Sequence, residues 1–223
     1  MNKLAKRNQH YLALLGDIRR SRILGNRELA QSAFLDIIED VNEQFQSKLA
    51  VPFVVSRGDE FQGLLSTPES ALEIVDAFDA RSDLFSFRYG LGWGKVGTAF
   101  RPRTTEMDGT CFLNAYSALE RSKREDRWVT FEGAPVEQEH VINANFRSIQ
   151  VIRDRWTTKQ KTAVNMRRGR VTLSVTAEAM GIDKSTLSKM LKAAHYEQLL
   201  EMEEALTILM QNYLDPSIWD GRT

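Results

Sequence analysis

The chain has 223 residues, 42% of them hydrophobic, with 30 basic and 30 acidic side chains and a formal net charge of zero. That length supports one or two domains with real cores, and the balanced charge excludes a polyanion binder that works by bulk charge. The single cysteine, Cys111, excludes an internal disulfide and suits a reducing compartment. No apolar run approaches the roughly 18 residues of a membrane span. The basic start, Met1 to Arg7, lacks the apolar stretch of a secretory signal. The expected location is the cytoplasm, with no membrane partner.

Residues 11–15 form a short continuous apolar run, as in a strand buried on both faces. The run ends at Gly16-Asp17-Ile18, and Arg19, Arg20 and Arg22 follow. Guanidinium forks fit phosphate oxygens bidentately. These arginines are therefore candidate phosphate ligands, with a solvated basic turn as the alternative. Asn26 is a candidate cap for a helix over 27–48. Its Leu29, Ala33, Phe34, Ile37, Ile38, Val41 and Phe45 recur at three- and four-residue steps.

Val51, Phe53 and Val55 then alternate into a turn, and Phe61, Gly63 and Leu65 alternate out of it. This predicts a β-hairpin with Arg57-Gly58-Asp59-Glu60 at its tip. Carboxylates at a hairpin tip beside a strand-end acid suit a hard cation such as Mg²⁺ (or Mn²⁺). Asp17 and Asp59 are read as one metal site that Glu60 can join. The alternative is that each acid is a turn residue with local hydrogen bonds.

Thr67-Pro68 opens another helix, with Leu72, Val75, Ala77 and Phe78 inward. Residues 85–94 form a strand that carries Gly90, Gly92 and Gly94. Such glycines mark a bulge, or a close approach by a ligand or another element. The loop over 97–103 brings Arg101 and Arg103, which join Arg57 as candidate phosphate ligands. Asp108-Gly109 leads into a helix over 111–123. Trp128-Val129-Thr130-Phe131 is a last short strand.

The order strand, long helix, hairpin, helix, strand matches the split βαβ pattern of ferredoxin-like sheets. In this expectation the first strand lies beside the hairpin's first strand, and Asp17 meets Asp59 at one edge. The fold class is α+β: a ferredoxin-like palm of the βαββαβ type over 1–135, then an all-α domain over 136–223.

The second part is wholly helical in pattern, with one long helix, Val141 to Trp156 in its spacing, and another over 158–166. In the segment 172–191, Ala177 lies four residues before Gly181, and Leu187 six after it. That spacing describes a helix-turn-helix. Asp183 or Ser185 can cap its second helix. Lys184, Ser185, Thr186, Ser188, Lys189 and Lys192 are the candidates to contact double-stranded DNA. Between 153 and 192, ten basic residues stand against three acidic ones, a local charge of +7. A plain helical domain with a charged surface is the alternative. A last helix over 197–214 has a broad apolar face, suited to core packing or to a homodimer.

Together, Leu15-Gly16-Asp17-Ile18, Gly58-Asp59-Glu60-Phe61-Gln62, Tyr89-Gly90-Leu91-Gly92, Asp108-Gly109 and the helical segment resemble the SatD family over nearly the whole chain. More distantly, the first part resembles the palm domain of class III nucleotide cyclases and GGDEF-type diguanylate cyclases. That resemblance implies divalent metal at Asp17 and Asp59, matches Glu60 to the GGDEF glutamate and makes Asn114 a candidate catalytic residue. Arg57 replaces the first glycine of the GGDEF pattern. Ala118 replaces the class III arginine, with Arg121 one turn further on. Two functions follow. One is a transcriptional regulator that couples a Mg-dependent nucleotide-binding domain to DNA. The other is an active nucleotidyl cyclase or transferase acting on nucleoside triphosphates.

Overall fold

The structure, a computed structural model, describes residues 9–19, 27–81, 86–169 and 171–214. Arg20, Arg22 and Asn26 lie outside them. The described residues form a five-stranded sheet and eight α-helices, a mixed α+β fold. The strands are β1 (His10–Arg19), β2 (Leu49–Arg57), β3 (Glu60–Leu65), β4 (Ser86–Lys95) and β5 (Val129–Glu132). Their spatial order is β2-β3-β1-β4-β5. All neighbours are antiparallel except β4 and β5.

The expected pairing of β1 with the hairpin's first strand does not form, because β3 lies between them. The cause is the crossover. Helix α1 (Arg27–Gln44) carries the chain past one strand position, and the hairpin's return strand fills the gap. Helix α1 is also shorter than expected, since Gln46–Lys48 forms a separate 3-10 turn.

Alternation along β1 sorts the core into two layers. Leu12, Leu14 and Ile18 face α1 and α2 (Ala71–Ala80), in a cluster with Phe34, Phe53, Phe61, Phe78, Phe87 and Tyr89. The Phe61 and Phe78 rings are 4.5 Å apart at their centroids. Tyr11, Ala13 and Leu15 face α3 (Thr110–Glu125), against Cys111, Ala115 and Leu119.

The three glycines of β4 mark a close approach by another element, α3. A Cβ at Gly92 would lie 2.1 Å from Ala115 N and 2.1 Å from Cys111 O. One at Gly90 would lie 2.2 Å from Ala115 O. The helix backbone thus rests directly on the strand backbone, which fixes α3 closely over the sheet.

Two asparagines hold the outer strands. Asn42 of α1 donates to Phe53 O and accepts from Phe53 N on β2. Asn143 of α4 (Val136–Arg153) does the same for Phe131 on β5.

The remaining helices are α5 (Thr158–Arg168), α6 (Leu173–Ala179), α7 (Lys184–Ala193) and α8 (Tyr196–Tyr213). Thr157, Thr172 and Asp183 cap α5, α6 and α7 with side-chain oxygens. Asp183, not Ser185, is the cap of α7. Ala177 and Leu187 are both buried, as the spacing predicts. A charged network joins this part to α2. Arg153 reaches Asp76 at 2.7 Å and Glu203 at 2.8 Å, and Arg168 reaches Asp76 at 2.6 Å and also bonds Glu203. Two of the ten bases in the basic tract are therefore turned inward and do not add to a surface charge. The long helix expected through 156 ends at Arg153, where this network begins.

Candidate functional site

The hairpin tip forms as the sequence predicts. Arg57 pairs with Glu60 across a two-residue turn, Gly58-Asp59. Gly58 adopts φ +59°, a left-handed conformation that favours glycine. On the other side, β3 is zipped to β1. The Ile18 amide donates to Asp59 O at 3.3 Å, which makes Asp17 and Glu60 the adjacent pair. Pairs of this kind, without mutual hydrogen bonds, bring side chains closest together. The β1–β4 register sets Arg88 opposite Asp17. Glu60, Asp17 and Arg88 thus form one row across three strands, on the face that α3 covers.

Lys123, near the end of α3, sits over this row. Its Nζ lies 2.7 Å from Glu60 Oε1, 3.4 Å from Asp17 Oδ1 and 3.2 Å from Glu120 Oε1. Asp126 caps the same helix in a left-handed conformation, φ 51°. Its Oδ1 accepts from Arg88 at 2.9 Å and from Arg19.

The electrostatics follow from this packing. Burial raises the Asp17 pKa above its ordinary value. Lys123 pulls it back, and Asp59 and Glu60 push it up again. Asp59 is therefore close enough to be felt at Asp17. Burial works against the Lys123 ammonium, but the hydrogen bond to Glu60 and the charge of Asp17 overcome it, so its pKa rises. Lys123 is a cation at any ordinary pH.

The structure thus brings Asp17, Asp59, Glu60 and Arg19 to one end of the sheet. Arg57 is exposed at the hairpin tip, opposite Glu60. Arg101 and Arg103 are exposed on the loop before Thr104, whose hydroxyl donates to Gln62 O at 3.3 Å on the same sheet. Asn114 is not brought to the acids. It lies nine residues before Lys123, about 13 Å along the helix, and its amide donates to Trp93 O at 2.8 Å. The helix runs from one end of β4 to the other, so only its last turn reaches Asp17. Arg121 is held by Glu125 at 3.2 Å and Glu139 at 3.8 Å.

Sequence reasoning missed Arg88 and Lys123. Arg88 stands in line with the β4 glycines, two residues before Gly90, which is a readable signal for the α3 face. Lys123 follows Leu119 by one helical turn and so shares its inward stripe.

Carboxylate oxygens are the right chemistry for Mg²⁺, which takes few protein ligands and completes its shell with water and phosphate. Asp17, Asp59 and Glu60 are the residues that would hold it. Among the described residues, no three acidic, histidine or cysteine side chains are arranged to hold a metal by themselves. Lys123 stands among the acids instead.

Lys184, Ser185, Thr186, Ser188, Lys189 and Lys192 are all exposed on α7. The Ser185 and Thr186 hydroxyls both donate to Asp183. No helix among the described residues is long and apolar enough to cross a membrane.

Comparison with solved structures finds partial similarity to the following domains. The GGDEF domain of YfiN (TpbB) from Pseudomonas aeruginosa matches with 20% identity and a TM-score of 0.34, over 52% of this chain and 78% of that one. The catalytic core of a rhodopsin-guanylyl cyclase with converted specificity, in complex with ATPαS, matches with 14% identity and a TM-score of 0.34, over 54% of this chain and 76% of that one. A search of the curated proteins finds no match. The model of the SatD family matches residues 11–209, and the chain belongs to that family.

Proposed function

We propose that this chain binds a nucleoside triphosphate, together with Mg²⁺ or Mn²⁺, at the end of the sheet where β1, β3 and β4 meet the last turn of α3. The observation that carries this reading is the cross-strand row Glu60–Asp17–Arg88 beneath Lys123. It places acids for a cation beside bases for phosphate within one strand spacing. In this reading Asp17, Asp59 and Glu60 face the metal, which when bound neutralises phosphate charge. Arg19, Arg88 and Lys123 receive phosphate oxygens. Arg57, Arg101 and Arg103 serve at the rim, and Arg20 and Arg22 continue the tract after Arg19. Residues 1–135 are the ligand-binding unit.

Binding without cyclisation is the form of this function that fits the side chains. Asn114 is engaged by Trp93 O, and Ala118 offers no charge to a leaving phosphate. Calorimetry with ATP and GTP in the presence of Mn²⁺ tests the reading. Binding to the wild type that is lost in Asp17→Asn is the expected result, and absence of heat with every nucleoside triphosphate overturns it. Pyrophosphate release above that of Asp59→Asn would show turnover instead.

A second reading concerns residues 136–223. Helix α7 exposes Lys184, Lys189 and Lys192, carries no acid, and has its one neighbouring acid, Asp183, bound up as its cap. Such a face suits the phosphates of double-stranded DNA, and in this reading α6 and α7 serve as the helix-turn-helix of a transcriptional regulator. Mobility-shift titrations at two salt concentrations test it. Binding that weakens with salt and weakens further in a Lys184→Ala/Lys189→Ala variant is expected. Equal affinity for the variant and the wild type discards it.

A further inference from the structure

Two of the charges at the site come from the last turn of α3. On one side, the Lys123 ammonium is surrounded by Glu60, Asp17 and Glu120 at 2.7, 3.4 and 3.2 Å. It stands where a cation shared by Asp17 and Glu60 would stand. On the other side, Arg19 and Arg88 converge on one oxygen of Asp126. Two guanidinium groups on one anionic oxygen are an arrangement that also takes a phosphate. Asp126 is three residues after Lys123, and its side chain is 74% exposed.

We infer that Lys123 and Asp126 are tethered counter-ions, Lys123 in the place of the divalent cation and Asp126 in the place of a phosphate group. This rests on the nucleotide-site reading and extends it to how the site is regulated. Without ligand the site is neutralised by its own chain. A metal ion arriving alone meets the Lys123 ammonium, and a triphosphate arriving alone meets the Asp126 carboxylate. When the two arrive together, the phosphate offers Lys123 a new partner and Asp126 is displaced into water. An exposed ion pair contributes little, so release of Asp126 is easy. The long lysine stem lets its ammonium follow the phosphate. Metal and triphosphate therefore bind cooperatively, because the triphosphate draws away the ammonium that competes with the metal.

Two substitutions separate the halves. Lys123→Met keeps the apolar stem and removes the ammonium. Asp126→Asn removes the charge with a residue that tolerates the left-handed φ of 51°. Mn²⁺ alone is titrated and followed by electron paramagnetic resonance, and inorganic triphosphate alone by calorimetry. Lys123→Met is expected to bind Mn²⁺ about tenfold more tightly than wild type, and Asp126→Asn to bind triphosphate about tenfold more tightly. Lys123→Gln replaces the Met variant should that one melt early. Unchanged Mn²⁺ affinity in both Lys123 variants removes the first assignment, and unchanged triphosphate affinity in Asp126→Asn removes the second. A Mn²⁺ gain in the Lys123 variants, with no nucleoside triphosphate binding to wild type, keeps the counter-ion assignment and rejects the nucleotide reading. Nucleotide binding by wild type with no gain in any variant does the reverse.

Discussion

Asp17 and Glu60 are adjacent across the β1–β3 ladder, and the Asp17 carboxylate is held in a site that burial makes unfavourable to its charge. Its pKa is raised above the unfolded value of 3.8. The sign follows from linkage. Above the folded pKa the ionised group lowers stability, and below 3.8 it is neutral in both states and has no effect. Asp17→Asn is therefore expected to melt at or above the wild-type temperature at pH 7, with the gain shrinking as the pH falls toward 3.8. Thermal unfolding at both pH values checks this. A large loss of stability at pH 7 contradicts it.

Asp79 offers a sharper pH test. Its carboxylate accepts from Tyr89 Oη at 2.9 Å and from Trp128 Nε1 at 2.8 Å. Burial raises its pKa to about 6, against a pull from Arg153. The folded state thus binds the extra proton between 3.8 and about 6, and stability falls as the pH rises through that window. The shift corresponds to about 3 kcal/mol. In Asp79→Asn this term is absent, so its stability relative to wild type is expected to improve by up to about 3 kcal/mol between pH 4 and pH 7. Urea unfolding of both proteins at the two pH values measures the difference.

Gly92 supports α3 from below. Adding one methyl group there sets it against helix backbone, at Ala115 N and Cys111 O, and backbone cannot rotate away. Gly92→Ala is expected to destabilise the fold by about 3 kcal/mol or more. Lys123 rides on the same helix, so the lifted helix also loosens its contacts with Asp17 and Glu60. Denaturant unfolding gives the first effect and ligand titration the second. Gly97→Ala, with its nearest neighbour at 3.5 Å, is the matched control.

Arg153 is the hub of the charges between α2, α4 and α8, and its guanidinium lies 4.1 Å over the Trp128 ring. Arg153→Met leaves Asp76 and Glu203 facing each other with only Arg168 between them. Breaking a buried pair from one side costs about 3–5 kcal/mol, and that loss is expected in denaturant unfolding. Truncating Arg153, Arg168, Asp76 and Glu203 together is expected to cost less than the single change.

The features legible in the sequence were those written in local pattern. The hairpin was readable because Gly58 interrupts two alternating runs. The close approach at β4 was readable from three glycines at two-residue spacing. Asp17 was readable as an acid ending an apolar run. Long-range register was not. Nothing near Asp17 says that its facing partner is Glu60, since that depends on β3 entering beside β1. Charge signs misled in both directions. Arg153 and Arg168 belong to the basic tract in sequence but turn inward to Asp76 and Glu203. Nothing in the sequence singles out Lys123, and only the packing of α3 on the glycine track aims it at the acids. Asn114 is a candidate through resemblance alone, and its helix sets it at the end of β4 away from Asp17, bonded to Trp93 O.

Asn42 and Asn143 have a bearing on assembly. An outermost strand normally offers a ladder of peptide groups that a second molecule can join. Here an amide side chain mimics that joining strand at Phe53 on one flank and at Phe131 on the other. Lengthening the sheet through either flank requires evicting an asparagine from its bonds. Edge-to-edge association at these two positions is thereby disfavoured.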